Sequence, residues 1–125
     1  MIETRNPVIL IPLLNHPDIN HGLLDGFKAT IEMVMDESAI FFAGADMVAP
    51  VRLSNGCAVV HYGSTKEMRG KPALTGCRDV INKLKDMGFR VITTIKTERR
   101  NVRQIAALLF DHVESKNGLE IYLAR

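Results

Sequence analysis

The sequence predicts a mixed α/β fold, with an antiparallel meander followed by helix, strand, helix and strand. Three observations carry this. Apolar, strand-like runs at Ala39–Ala43, Met47–Leu53 and Cys57–Gly63 are parted by turns at Gly44–Asp46 and Ser54–Asn55–Gly56. The Asn-Gly of the second turn is a strong hairpin signal. Next, Leu74, Cys77, Val80, Ile81, Leu84 and Met87 recur at helical spacing until Gly88, a C′ stop, ends the run. The β-branched run Val91–Ile95 then returns the chain to strand.

The remaining elements follow in order. Val8–Leu14 reads as a buried strand, with Pro12 marking an edge or an early end. Asn15–Asp25 reads as a helix opened by Pro17 and Asp18, with Leu23, Leu24 and Phe27 as its apolar stripe. Phe27–Met35 alternates like a strand but has the composition of a helix. Phe89–Thr97 is a strand. Val102, Ile105, Ala106, Leu109 and Val113 mark a second helix with Asn101 as its cap. Asn117-Gly118 turns into a last strand, Leu119–Leu123. Met33, Met35, Met47, Phe41 and Phe42 read as core.

Composition bounds the function. With 125 residues, 46% hydrophobic and 24% charged, the chain reads as one soluble globular domain spanning 1–125. A net charge of +2 is too small to argue for nucleic acid. No apolar run approaches the 18 or so residues of a membrane span. Glu3, Pro12 and His16 spoil a secretory signal, and Cys57 and Cys77 have no ligand spacing. Reduced thiols and a cytoplasmic setting, or a virion if phage-encoded, are the expectation. His16 and His21 are wrongly spaced for one helix face, so no metal site is expected.

The stretch that carries chemistry is Arg69-Gly70-Lys71-Pro72-Ala73, between a strand and a helix. First-turn N–H groups of a helix have no internal partner, and the helix dipole favours an anion there. Lys66, Arg69, Lys71 and Arg78 flank this turn, and Lys96, Arg99, Arg100 and Arg103 flank the next strand–helix turn. In a parallel arrangement both turns lie at one sheet edge, read as a seat for coenzyme phosphates or as solvated helix ends, with a nucleic-acid backbone third. His61 and Tyr62 end the third meander strand, and adjacent strand residues face opposite ways. His61 is the candidate general base, and Tyr62 then packs under a helix. Glu32, Asp36 and Glu37 form an acidic segment, read as solvated or as a contact for an amine.

From Ile40 onward the chain resembles the GNAT superfamily of N-acetyltransferases. The carriers are "CAVVHYGS", "RGKPA", "DMGF", "VITTIKTE" and "NVRQIAALLFDHV". The resemblance implies acetyl-CoA bound where two central strands splay apart. It places Val59, Val60 and His61 along the pantetheine. Arg69, Gly70, Lys71, Ala73 and Leu74 then meet the pyrophosphate, and Asn101 matches an asparagine of the family pattern. Pro72 stands where the first motif glycine belongs, and Leu74 where a small residue belongs. Leu108 stands where the family often carries a tyrosine acid. The implied partners are a coenzyme A thioester and an amine acceptor, or a protein partner, with a homo-oligomer as an option. The expected activity is acetyl transfer to an amine. The alternative is a catalytically silent GNAT-like assembly or interaction protein, since the size and the opening "HPDINHGLLDGF" also resemble small GNAT-like phage proteins. An unrelated domain binding another phosphorylated ligand or RNA ranks third.

Overall fold

The first apolar run folds as a helix, not a strand. In the computed structural model, which describes residues 1–125, helix α1 spans Pro7–Asn15. Asn6 Oδ1 accepts from the Val8 N–H at 3.0 Å. Pro7 fills the first helical position, where a missing N–H costs nothing. The expected strand Val8–Leu14 is thereby overturned. Leu10 and Leu14, four apart, turn inward, whereas Val8 and Ile9 are exposed. An evenly apolar run suits either element, and the cap decides.

Helix α2 (Pro17–Leu23) forms as expected, with His16 Nδ1 accepting from the Asp18 N–H at 3.1 Å. Its inward residue is Ile19, and Phe27 is 72% exposed, so the expected stripe is shifted. The ambiguous segment resolves as α3 (Ile31–Met35), capped by Thr30 Oγ1. Met33 and Met35 lie outside, so only Met47, Phe41 and Phe42 of that group are core.

The sheet has 8 strands: β1 (Ile2–Glu3), β2 (Ala39–Gly44), β3 (Met47–Ser54), β4 (Cys57–Val60), β5 (Gly63–Ser64), β6 (Arg90–Lys96), β7 (Phe110–Lys116) and β8 (Leu119–Ala124). Their order is β1-β2-β3-β4-β6-β8-β7, with β5 pairing β3. Only β4 and β6 run parallel, so the sheet is mixed. Asn55 and Gly56, at φ 49 and 78, make the expected tight hairpin between β3 and β4.

Helix α4 (Lys71–Asp86) buries Gly76, Val80, Ile81 and Leu84. It ends where Gly88 takes φ 92, a conformation glycine adopts without strain. The next helix, α5, stops at Ala106 after starting at Arg100. The expectation that it runs on to Val113 is overturned, because Phe110–Lys116 pairs with β8 through the Asn117-Gly118 turn. The expected Asn101 cap is overturned too. Asn101 lies inside α5, and Arg99 holds the cap position without a side-chain bond.

Two cores result. Phe42, Val51, Val60, Leu84, Val91 and Tyr122 belong to the one beneath α4 and α5. Leu10, Leu14, Ile19 and Val34 pack with Phe41, Ala43 and Val48 on the opposite face. The α1–α3 layer therefore covers β2, β3 and β5. No helix of the structure is long and apolar enough to cross a membrane.

Beneath α5 sits a carboxylate that sequence reasoning missed. Glu120 is 4% exposed. It accepts from Ser115 Oγ at 2.6 Å and Thr97 Oγ1 at 2.7 Å, with His112 Nε2 at 3.0 Å and Arg103 Nη2 at 3.5 Å. These hydroxyl bonds, the Ser115 bond first, hold its pKa down from 4.5 to about 2. A carboxyl with a depressed folded pKa stabilises above its unfolded value and loses that contribution as pH falls through the folded one. The stability of the wild-type protein is therefore expected to fall between about pH 4.5 and 2 more steeply than that of Glu120→Gln. Urea midpoints across that range check this, and parallel curves refute it.

Candidate functional site

The β4–β6 ladder is short. It pairs Cys57 with Arg90, Ala58 with Val91 and Val59 with Ile92, and then stops, although β6 continues to Lys96. The two central strands thus part beyond Val59. On the other flank of β4, the His61 N–H donates to Pro50 O at 3.0 Å. Pro50 has no N–H to return. The His61 carbonyl is left without a main-chain partner, and so is the Tyr62 N–H that shares its peptide unit. Pairing resumes in the same register at Gly63 with Val48, so no residue is inserted. The expected single strand Cys57–Gly63 is thus interrupted at His61 and Tyr62. Pro50, in the middle of a strand run, was the sequence signal for this break.

Side chains of β6 span the opening. The Thr93 hydroxyl donates to Val60 O at 2.7 Å, and Thr94 Oγ1 lies 3.5 Å from His61 Nε2. Tyr62 packs under α4, where its hydroxyl meets the Met47 sulfur, and a Cβ on Gly76 would collide with it. That packing is the placement expected for one member of the pair. His61 points to the other face and is exposed. Crowding by its neighbours disfavours the charged imidazole and lowers its pKa. A Thr94 backbone bond opposes the shift and the Arg52 charge adds to it. The shift is toward the neutral ring, the form a base needs.

The mouth of α4 lies after β5 and a single 3₁₀ turn, Lys66–Met68. Asp18 Oδ2 accepts from the Lys66 N–H at 3.0 Å and pins the start of this loop to α2. Gly70 takes φ 91 and ψ −133, a region essentially closed to other residues. The amides of Gly70, Lys71 and Ala73 have no partner in the protein, and Pro72 has none to offer. The Leu74 N–H is already bonded to Gly70 O at 3.0 Å, and its side chain packs against the core beneath α4. Lys66, Arg69, Lys71, Arg78, Lys96, Arg99 and Arg100 form no ion pairs, whereas Arg103 is engaged by Glu120.

A groove of about 540 Å³ runs along one flank of the first turns of α4, between Met47 and the stripe Lys71, Thr75 and Asp79. It touches no residue of β6 and does not include His61. It therefore adjoins the mouth without being the opening between the strands. Asn101 lies in a second concavity, of about 340 Å³, with Arg99 and Arg100. Leu108 falls in the turn after α5, 56% exposed, and offers no acid. The hydroxyl nearest His61 is that of Thr94.

No family model matches the chain, and no curated protein matches it in sequence. Solved structures do match. A protein assigned as a phosphinothricin N-acetyltransferase superposes with a TM-score of 0.63 at 14% identity, over 91% of this chain and 92% of the other. The ribosomal-protein-S18-alanine N-acetyltransferase of Escherichia coli gives 0.63 at 9% identity, over 98% and 89%. The fold is that of the GNAT N-acetyltransferases. On this GNAT fold, the parting strands and the unpartnered helix mouth fall along the same chain segment, joined by the His61–Gly70 stretch.

Proposed function

We propose that the chain binds acetyl-CoA and transfers the acetyl group to an amine. One observation carries this reading: the β4–β6 ladder stops after Val59, and the chain that leaves it runs on through β5 into a helix mouth with three unspent amides and two free cations, Arg69 and Lys71. That donor set fits a pyrophosphate, with Pro72 lowering the number of amides by one. Asn101, with Arg99 and Arg100, would border the phosphate side of the same edge, which the parallel run of β4 and β6 shares. Val59 and Val60 would line the pantetheine arm, Val60 through its carbonyl once Thr93 turns away.

The coenzyme supplies an activated acetyl thioester. The Tyr62 N–H is the unspent main-chain donor for negative charge growing on a carbonyl oxygen in the opening. This moves the donor one residue beyond the Val59–His61 strand, because the His61 N–H is spent on Pro50. His61 Nε2 would take the proton from the attacking amine as the new C–N bond forms and the C–S bond breaks, with coenzyme A leaving as its thiolate and taking a proton from water, since Leu108 offers none.

Acetyl-CoA at 100 times its Kd is expected to add about 2.7 kcal/mol to stability and to raise the Tm. Gly70→Ala should blunt the rise, because relieving a strain of roughly 1–3 kcal/mol in that backbone region turns the neighbouring amides from the anion and weakens its binding. No shift with millimolar acetyl-CoA would refute the proposal. The bridge from Thr93 to Val60 favours a second reading, a catalytically silent scaffold used for assembly or interaction, as in phage particles. That reading requires an opening that stays closed and no turnover with any amine.

A further inference from the structure

We propose that Arg52 selects the acceptor, an amine attached to an apolar body and an anionic group. The proposal rests on the acetyl-transfer reading and concerns the sheet face on which His61 sits. Register defines that face. Arg52 pairs with Val59, Val59 with Ile92, Ile92 with Leu123, and Leu123 with Asp111. Paired residues share a face, so this row runs cation, three apolar side chains, acid. His61 lies two residues beyond Val59 and therefore on the same face, next to Thr94. The α1–α3 layer packs on β2, β3 and β5 and leaves Arg52 and His61 exposed.

Arg52 and His61 are diagonal neighbours across β3 and β4, a separation of about 7–8 Å that an arginine side chain spans. The Arg52 guanidinium has no hydrogen bond and no ion pair. Its charge is felt by the His61 ring and by Asp36, whose carboxylate is already engaged by Ser38. The other strand cations on this face are Arg90, Lys96 and Lys116. The acids on it, Asp111 and Glu114, belong to β7, separated from β4 by β6 and β8, and Asp111 is paired with Arg125. A polycationic amine therefore finds only Asp36 near His61, a carboxylate already held by Ser38 and facing the Arg52 cation. A carboxylated amine finds a free guanidinium there, with Val59, Ile92 and Leu123 for an apolar side chain.

The test compares L-leucine, L-leucinamide and spermidine as acceptors. The wild-type protein is expected to prefer L-leucine over its amide by at least about tenfold in kcat/KM. Arg52→Gln should erase the preference by raising the KM for L-leucine at least about tenfold while the KM for L-leucinamide stays put, and Arg52→Lys should keep part of it. Equal rates for acid and amide, or spermidine as the best acceptor, overturn the proposal. A second arm needs no turnover. In NMR titrations, saturating 4-methylpentanoate, the amine-free analogue of L-leucine, should raise the His61 pKa in the wild-type protein and leave it unmoved in Arg52→Gln. No movement in the wild type overturns the proposal. A failure of acetyl-CoA to bind overturns the acetyl-transfer reading instead, and the NMR arm still decides whether Arg52 takes a carboxylate.

Discussion

His61→Ala is expected to lower kcat for acetyl transfer by about 10²–10⁴-fold, the usual worth of a positioned base. The substitution should leave the acetyl-CoA-induced Tm shift intact, because the helix mouth at Gly70 to Ala73 is untouched. Crowding and the Arg52 charge lower the His61 pKa, so the wild-type rate should be full at pH 7. It should fall only as pH drops through a value below 6.5, where the ring takes up a proton. That acid limb should vanish from the residual rate of the variant. Steady-state kinetics from pH 5 to 8 check both points (the range in which histidine ordinarily titrates). An unchanged kcat would remove His61 from the chemistry, and an unchanged acid limb would assign the titration to another group.

Phe42→Ala should be the most damaging core substitution. Phe42 is 1% exposed and lies in the cluster beneath α4 and α5, on strand β2, paired with Ala49 of β3. Removing its ring costs about 3–5 kcal/mol through lost burial and the cavity left behind. A domain of this kind has about 5–15 kcal/mol to lose, so much of its stability goes. The Tm should fall by roughly 10–20 °C. Phe41, its neighbour, faces the other core, packed against the α1–α3 layer. Thermal unfolding of both alanine variants checks the assignment. A Tm for Phe42→Ala within a few degrees of wild type would mean that the sheet's two faces are assigned wrongly.

Much of the fold was legible because its signals are local. The Asn55-Gly56 hairpin, the Leu74–Met87 stripe with its Gly88 stop, and the β-branched run of β6 each state their structure within a few residues. The errors came where local signals are degenerate. Val8–Leu14 is apolar on every side, and periodicity cannot separate helix from strand there. Val102–Val113 fits a helical period, but its second half is claimed by pairing with β8, a contact the local pattern does not contain.

The site divides in the same way. The helix mouth at Arg69–Ala73 and the opposed facing of His61 and Tyr62 were readable, since glycine, proline and strand alternation act on their immediate neighbours. The stop of the β4–β6 ladder after Val59, the spending of the His61 N–H on Pro50, the Thr93 bond to Val60, the four-partner hold on Glu120 and the placing of Arg52 diagonal to His61 were not. Each of these joins residues distant in the chain. Sequence alone determined the hairpin, α4, β6 and the residue types at the helix mouth, because propensity, capping and turn formation are short-range. Tertiary structure decided which main-chain groups remain unspent and which charges meet, because that depends on how strands from separate parts of the chain come to lie side by side.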